Sequence, residues 1–124
     1  MITLTHSEAF AYDLLSIAYV KLFHNSGDER AYKNVMDLSA EIECQVGGAP
    51  HEAILASDSY DRLYRVNDEM YVRINEIKQR KVTPEDATYI DDRVYQRFLA
   101  KKALQEKWFP DAPLTEQKFG YEKK

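Results

Sequence analysis

Residues 9–23 read AFAYDLLSIAYVKLF, and the reading of this stretch decides the fold. Only Asp13, Ser16 and Lys21 in it are clearly polar. A helix on the surface of a globular protein shows one apolar stripe of roughly 100°. This segment is apolar almost all round, so it predicts a central helix that other helices cover, in its own chain or in a partner's. It is too short, and with Asp13 and Lys21 too charged, for a membrane span of about 20 residues.

The elements around it follow by capping and periodicity. Thr5-His-Ser-Glu8 has the form of a capping box and is the expected start of the first helix, with its stop at Asn25-Ser26-Gly27. At about 100° per residue, His6, Asp13, Lys21 and His24 fall on one narrow strip, the expected water-facing side. Ser26-Gly-Asp-Glu29 is a second capping box. Beyond it Val35, Leu38, Ile42 and Val46 step by three and four to make an apolar ridge, flanked by Tyr32 and Met36. Gly47-Gly48 ends that helix.

A short helical turn is expected over 51–56, with Asp58 capping the next helix. That helix, over 59–80, carries Leu63, Val66, Met70, Ile74 and Ile77 as its seam, widened by Tyr60, Tyr64 and Tyr71. In Thr83-Pro84-Glu85-Asp86, Thr83 reads as the N-cap, Pro84 takes the first helical position, and Asp86 completes a variant capping box. The last helix then runs over 84–108 on a ridge of Ile90, Val94 and Phe98. Trp108-Phe109-Pro110-Asp-Ala-Pro113 breaks it. The expected fold is all-α: a four-helix bundle, predominantly antiparallel, with a short helical turn between its second and third helices. One bundle domain is expected over 1–109 and an irregular C-terminal tail over 110–124.

Composition bounds the function. With 124 residues, four glycines and four prolines, the chain suits one domain built of a few long elements. Its net charge of −4 has the wrong sign for general nucleic-acid affinity. Residues 1–50 hold three basic side chains against seven acidic ones, so this part carries the whole excess. A single cysteine, Cys44, permits no intrachain disulfide and suits a reducing compartment. It reads as a small packing residue. No secretory signal pattern precedes the apolar run, so a cytoplasmic protein is expected, with no membrane association.

No recognisable catalytic signature stands out. Glu-x-x-His, the motif that closes di-metal bundle sites, does not occur, and His6, His24 and His51 lack carboxylates at that spacing. Asp37 with Glu41, and Asp58 with Asp61, are the acids that a magnesium-dependent enzyme acting on a nucleotide or phosphate ester would use, though neither pair has the expected pattern. Glu41, Cys44 and His51 could converge near Gly47-Gly48, but one Cys and one His do not make a structural zinc site. Lys78-Gln-Arg-Lys81 and the series Arg93, Arg97, Lys101 read as solvated faces matched to helix dipoles, not as a nucleic-acid surface. No metal, cofactor or catalytic residue is assigned.

Nine tyrosines are the most unusual feature. Tyrosine buries a ring and keeps a polar tip, which suits half-buried and interface positions. Tyr12, Tyr19, Tyr60, Tyr64, Tyr71, Trp108 and Phe109 are therefore the candidate interaction surface. The expected function is a small non-enzymatic interaction or regulatory module that binds another protein or a second copy of itself, with the flank of Tyr12 and Tyr19 as the place a second subunit would cover. A small magnesium-dependent helical enzyme is the alternative.

Overall fold

Ser7, not Thr5, caps the first helix: its side chain accepts from the Phe10 amide. The computed structural model describes residues 7–111, so Thr5, His6 and the segment 112–124 lie outside the described residues. Five helices follow in order: α1 Glu8–His24, α2 Glu29–Val46, α3 Gly48–Leu55, α4 Asp58–Ile77 and α5 Pro84–Trp108. The described residues contain no strand.

Local chemistry explains the boundaries. Asp28 caps α2 by accepting from the amides of Arg30 and Ala31, which displaces the expected box at Ser26. A carboxylate there also meets the positive end of the helix dipole. The glycine pair does more than stop α2. Gly47 takes φ +105°, open to glycine without a Cβ penalty, and turns the chain directly into α3. The expected short turn is thus an eight-residue helix. Ser57, not Asp58, caps α4 by accepting from Tyr60. The Thr83–Asp86 capping box forms as expected, with Pro84 opening α5.

The long helices do not close a ring. The core has three corners, α1, α4 and α5, each in contact with the other two, and α4 and α5 share the most extensive pairing. α2 lies on the outer flank of α1, packed chiefly on α1 and α3, and makes no sustained contact with α5. Direction follows from the side-chain pairs. Tyr12 meets Tyr60 and His24 meets Asp68, so α1 and α4 run the same way. The backbone amide of Ala9 donates to Gln105, and Glu69 pairs with Arg93, so α5 runs against both.

The core is built from Ala9, Tyr12, Leu15, Ile42, Ile54, Tyr60, Leu63, Ala100 and Leu104. Helix α1 supplies much of it as expected, but several positions depart from the expected pattern, among them Ile74 of the α4 seam, which is exposed. Asp13, placed on the wet strip with His24 and Lys21, is fully buried, while those two are exposed. In α5 the expected ridge of Ile90, Val94 and Phe98 is only half-buried, and the buried positions are Asp86, Ala100, Lys101, Leu104 and Gln105. Cys44 is exposed on α2 and is not a packing residue.

Polar ties close the ends of the molecule. Gln105 accepts from Ala9 N at 2.8 Å and donates to Glu8 at 2.8 Å, so α5 serves an otherwise orphaned amide in the first turn of α1. Trp108 donates its indole N–H to Ser59 at 3.2 Å. At the opposite end His24 pairs with Asp68 at 2.6 Å and stacks on Tyr71, whose hydroxyl accepts from Asn25.

Asp86 pins the α4–α5 turn. It accepts from Arg80 at 2.6 and 2.8 Å, from Arg73 at 3.1 Å and from the Thr83 amide at 2.9 Å. The Arg80 hydrogen bonds, then the Thr83 amide, hold its carboxyl well below the usual carboxylate range. A lowered native pKa gives stability that is present above the unfolded value of about 3.9 and lost as pH falls below it. Asp86→Asn should therefore destabilise the protein at neutral pH, and the gap to wild type should begin to narrow below about pH 4 yet still be open at about pH 3, because the native carboxyl titrates well below the usual carboxylate range. Urea unfolding of both proteins across that range measures it.

Candidate interaction surface

The expected surface tyrosines divide into interior and rim. Tyr12 is fully buried and Tyr60 nearly so, which removes both from any contact surface of the folded chain. Their rings meet edge to face at 6.2 Å inside the α1–α4 seam. Tyr19 and Tyr64 are half-buried beside Tyr60 on the same seam, and Tyr71 sits further along α4 against His24. Burial pushes the Tyr12 hydroxyl up to about 12 and raises Tyr60 further, so both phenols stay neutral. Trp108 and Phe109 pack against the core from the end of α5.

Tyr12 belongs to a buried tie that sequence reasoning missed. Its hydroxyl lies 2.8 Å from Nδ1 of His51 on α3, and Nε2 of His51 lies 3.0 Å from Ser39 Oγ on α2. His51 thus joins three helices, and it does not meet Cys44 or Glu41 in a metal-binding group. Serine beside a histidine suggests a nucleophile and its base. In such a mechanism the histidine becomes positive and a carboxylate behind it balances the charge. Here the group behind it is a neutral phenol, so the trio reads as a structural tie.

A larger network lies on the other side of α1. Asp13 is 0% exposed and accepts from Arg97 Nε at 2.9 and 3.0 Å, from Arg97 Nη2, and from Asn67 Nδ2 at 2.9 Å. Lys101 Nζ is 3.7 Å away. Asn67 also donates to Ser16 Oγ at 2.7 Å, and that hydroxyl donates to the Asp13 carbonyl. One carboxylate on α1 therefore gathers α4 and α5. Arg97 and Lys101, expected on a solvated face, turn inward to meet it. Arg93, half-buried like Arg97, pairs instead with Glu69 and Asp92.

Of the four acids of the magnesium reading, Asp37 and Glu41 lie along one groove of α2, while Asp58 and Asp61 stand apart from them on α4. Asp37 pairs with Lys33 and Asp61 with Arg65, each one helical turn away on an exposed surface. Glu41 accepts from Gln45, and Asp58 is exposed in the first turn of α4. Among the described residues no group of three or more His, Cys, Asp or Glu side chains could hold a metal ion.

What remains is a groove between α1 and α2. Leu14, Ile17 and Ala18 face Leu38 across it, with Lys21, Asn34, Asp37 and Glu41 along its edges. It continues past Ala11, Ile42 and Val46 to Phe109 at the end of α5. Its walls are mostly apolar in the Leu14–Leu38 portion. Leu14 is 42% exposed although it neighbours the fully buried Leu15. The cause is architectural: α2 covers one flank of α1, α4 and α5 cover the other, and the strip carrying Leu14 and Ile17 lies between them. Further apolar surface stands at Phe23, 71% exposed, and at Tyr32 and Met36 on α2.

The fold and this face define an all-helical protein with an open helix–helix groove on its most buried helix. Comparisons with protein-family models, with curated proteins and with solved structures each return no match. No helix among the described residues is long and apolar enough to cross a membrane.

Proposed function

We propose that this chain is a small non-enzymatic interaction or regulatory module, an open bundle of four long helices that docks a helical segment of another protein in the α1–α2 groove. The observation that carries the reading is Leu14, a large apolar side chain 42% exposed in a mostly apolar groove on the central helix. Amphipathic helices bind such grooves with apolar anchors spaced by three and four residues. Asp37 and Glu41 edge the groove, so a segment with basic flanks suits it. A second copy of the chain is the other candidate partner. We place the module in the cytoplasm, where a reducing environment suits the exposed thiol of Cys44.

Site-specific photocrosslinking tests the reading. A photoreactive residue at position 14, in cells that express the chain, should yield a discrete protein adduct. The same residue at Glu85, exposed at the start of α5, should yield none. The adduct's mass separates a partner from a second copy. Equal, diffuse labelling from both positions would overturn the proposal.

A further inference from the structure

The two ends of the α1–α2 groove differ. Toward Lys21 it carries charges of both signs along its edges. At the other end Phe109, the residue that caps α5, closes it, and a cavity of about 510 Å³ lies between α1, α2 and the end of α5. Phe10 and Ala11 of α1, Ile42 and Val46 of α2, and Phe109 supply its apolar walls. A concavity of this size, apolar with a few polar groups, suits a small molecule.

The charged groups at this end have one sign. Glu8 on α1 and Glu41 on α2 line the cavity, and no Lys, Arg or His does so among the described residues. Each carboxylate accepts from a neutral amide, Glu8 from Gln105 and Glu41 from Gln45, both at 2.8 Å. Neutral donors satisfy the oxygens without cancelling the charge. The helix ends act in the same direction. α1 begins here, but Ser7 and Glu8 already meet its positive end. α2 ends here with no basic side chain in its last turn, and Phe109 marks the C-terminal end of α5. Helix C-termini favour cations. Lys107, in the last turn of α5, lies over the Trp108 ring and does not line the cavity.

We propose that the Phe109 end of the groove binds a small organic cation, an ammonium group carried on an apolar or aromatic body. The ammonium meets Glu8 and Glu41, and the body packs on Phe10, Ile42, Val46 and Phe109. The pocket is a property of the isolated chain, whereas crosslinking in cells decides the partner reading, so either can fail without the other.

Three probes of one shape test the proposal: phenylbutylamine, phenylbutanol and phenylbutyrate, each titrated at neutral pH into the isotope-labelled full-length protein. The amine should shift the amide signals of Ala11, Ile42 and Val46 saturably, with a Kd on the order of 1 mM for a ligand of this size. Phenylbutanol should bind several-fold more weakly and phenylbutyrate not measurably. Glu8→Gln combined with Glu41→Gln keeps both acceptor oxygens and should weaken the amine about fivefold, the size of a partly exposed ion pair, while leaving the alcohol unchanged. Signals of Leu63 and Leu104 that keep their positions show that the double variant is folded. Raising the ionic strength of the wild type should weaken the amine and not the alcohol, which gives the same reading without mutation. Equal binding of the three probes would overturn the proposal. So would an amine affinity unmoved by the double variant or by salt, shifts centred outside the cavity, or no saturable shift in the millimolar range.

Discussion

Asp13→Ala is expected to destabilise the protein by about 3–5 kcal/mol, the range for removing one partner of a buried charged pair. The substitution deletes the acceptor that Arg97, Asn67 and Lys101 share between three helices. The two cations differ in what they can do about it. Arg97 has 28% of its side chain exposed and can turn its guanidinium toward water, whereas Lys101 has 4% and cannot. Adding Lys101→Met should therefore recover a substantial part of the loss, because a buried pair replaced by apolar groups is often close to neutral. Urea unfolding of both single variants and the double variant gives the coupling directly. A loss below about 1 kcal/mol for Asp13→Ala, the size expected of a surface substitution, would show that the carboxylate is not the buried hub described.

Leu15→Ala is the second large effect, at about 2–5 kcal/mol from lost apolar burial and the cavity left behind. Leu15 is fully buried in the core cluster with Tyr12 and Leu63. Leu22, two turns later on the same helix, is only half-buried, because α1 is nearing its exposed end at Phe23. Its truncation should cost clearly less than that of Leu15. Denaturant midpoints for the two variants, with unchanged m-values, settle the order.

Both predictions concern the helix from which the fold was readable. Features set by neighbouring residues were legible in the sequence: the Thr83–Pro84–Asp86 helix start, the stop at Gly47, and the central role of residues 9–23. Rotation and register were not. Asp13 lies on the helix wheel between the buried positions Ala9, Ser16 and Val20 on one side and the exposed Lys21 and His24 on the other. Which side claims it depends on Arg97, which is 84 residues away in sequence. The same rotation turns Arg97 and Lys101 inward and leaves Ile90, Val94 and Phe98 half-exposed. Residue type misled at Tyr12 and Tyr60. A phenol suits an interface, but it also suits a core that offers the hydroxyl a partner such as His51, or a ring to pack against.

The candidate surface was legible only in outline. A segment apolar all round requires cover on every side, and the sequence reading looked for the uncovered flank at Tyr12 and Tyr19. The uncovered strip instead carries Leu14 and Ile17, because α2 packs on α1 and α3 and does not swing across to α5. That placement depends on the direct entry of α3 after Gly47, where only a short helical turn over 51–56 was expected.

The stability of Leu14→Asp tests the central claim most directly. If the strip of α1 beside Leu38 is an open groove, an aspartate at position 14 meets solvent, and urea unfolding should place the variant within about 1 kcal/mol of wild type. A loss of more than about 2 kcal/mol, the size expected for a charge forced into a packed interior, would contradict the open groove and the interaction surface built on it.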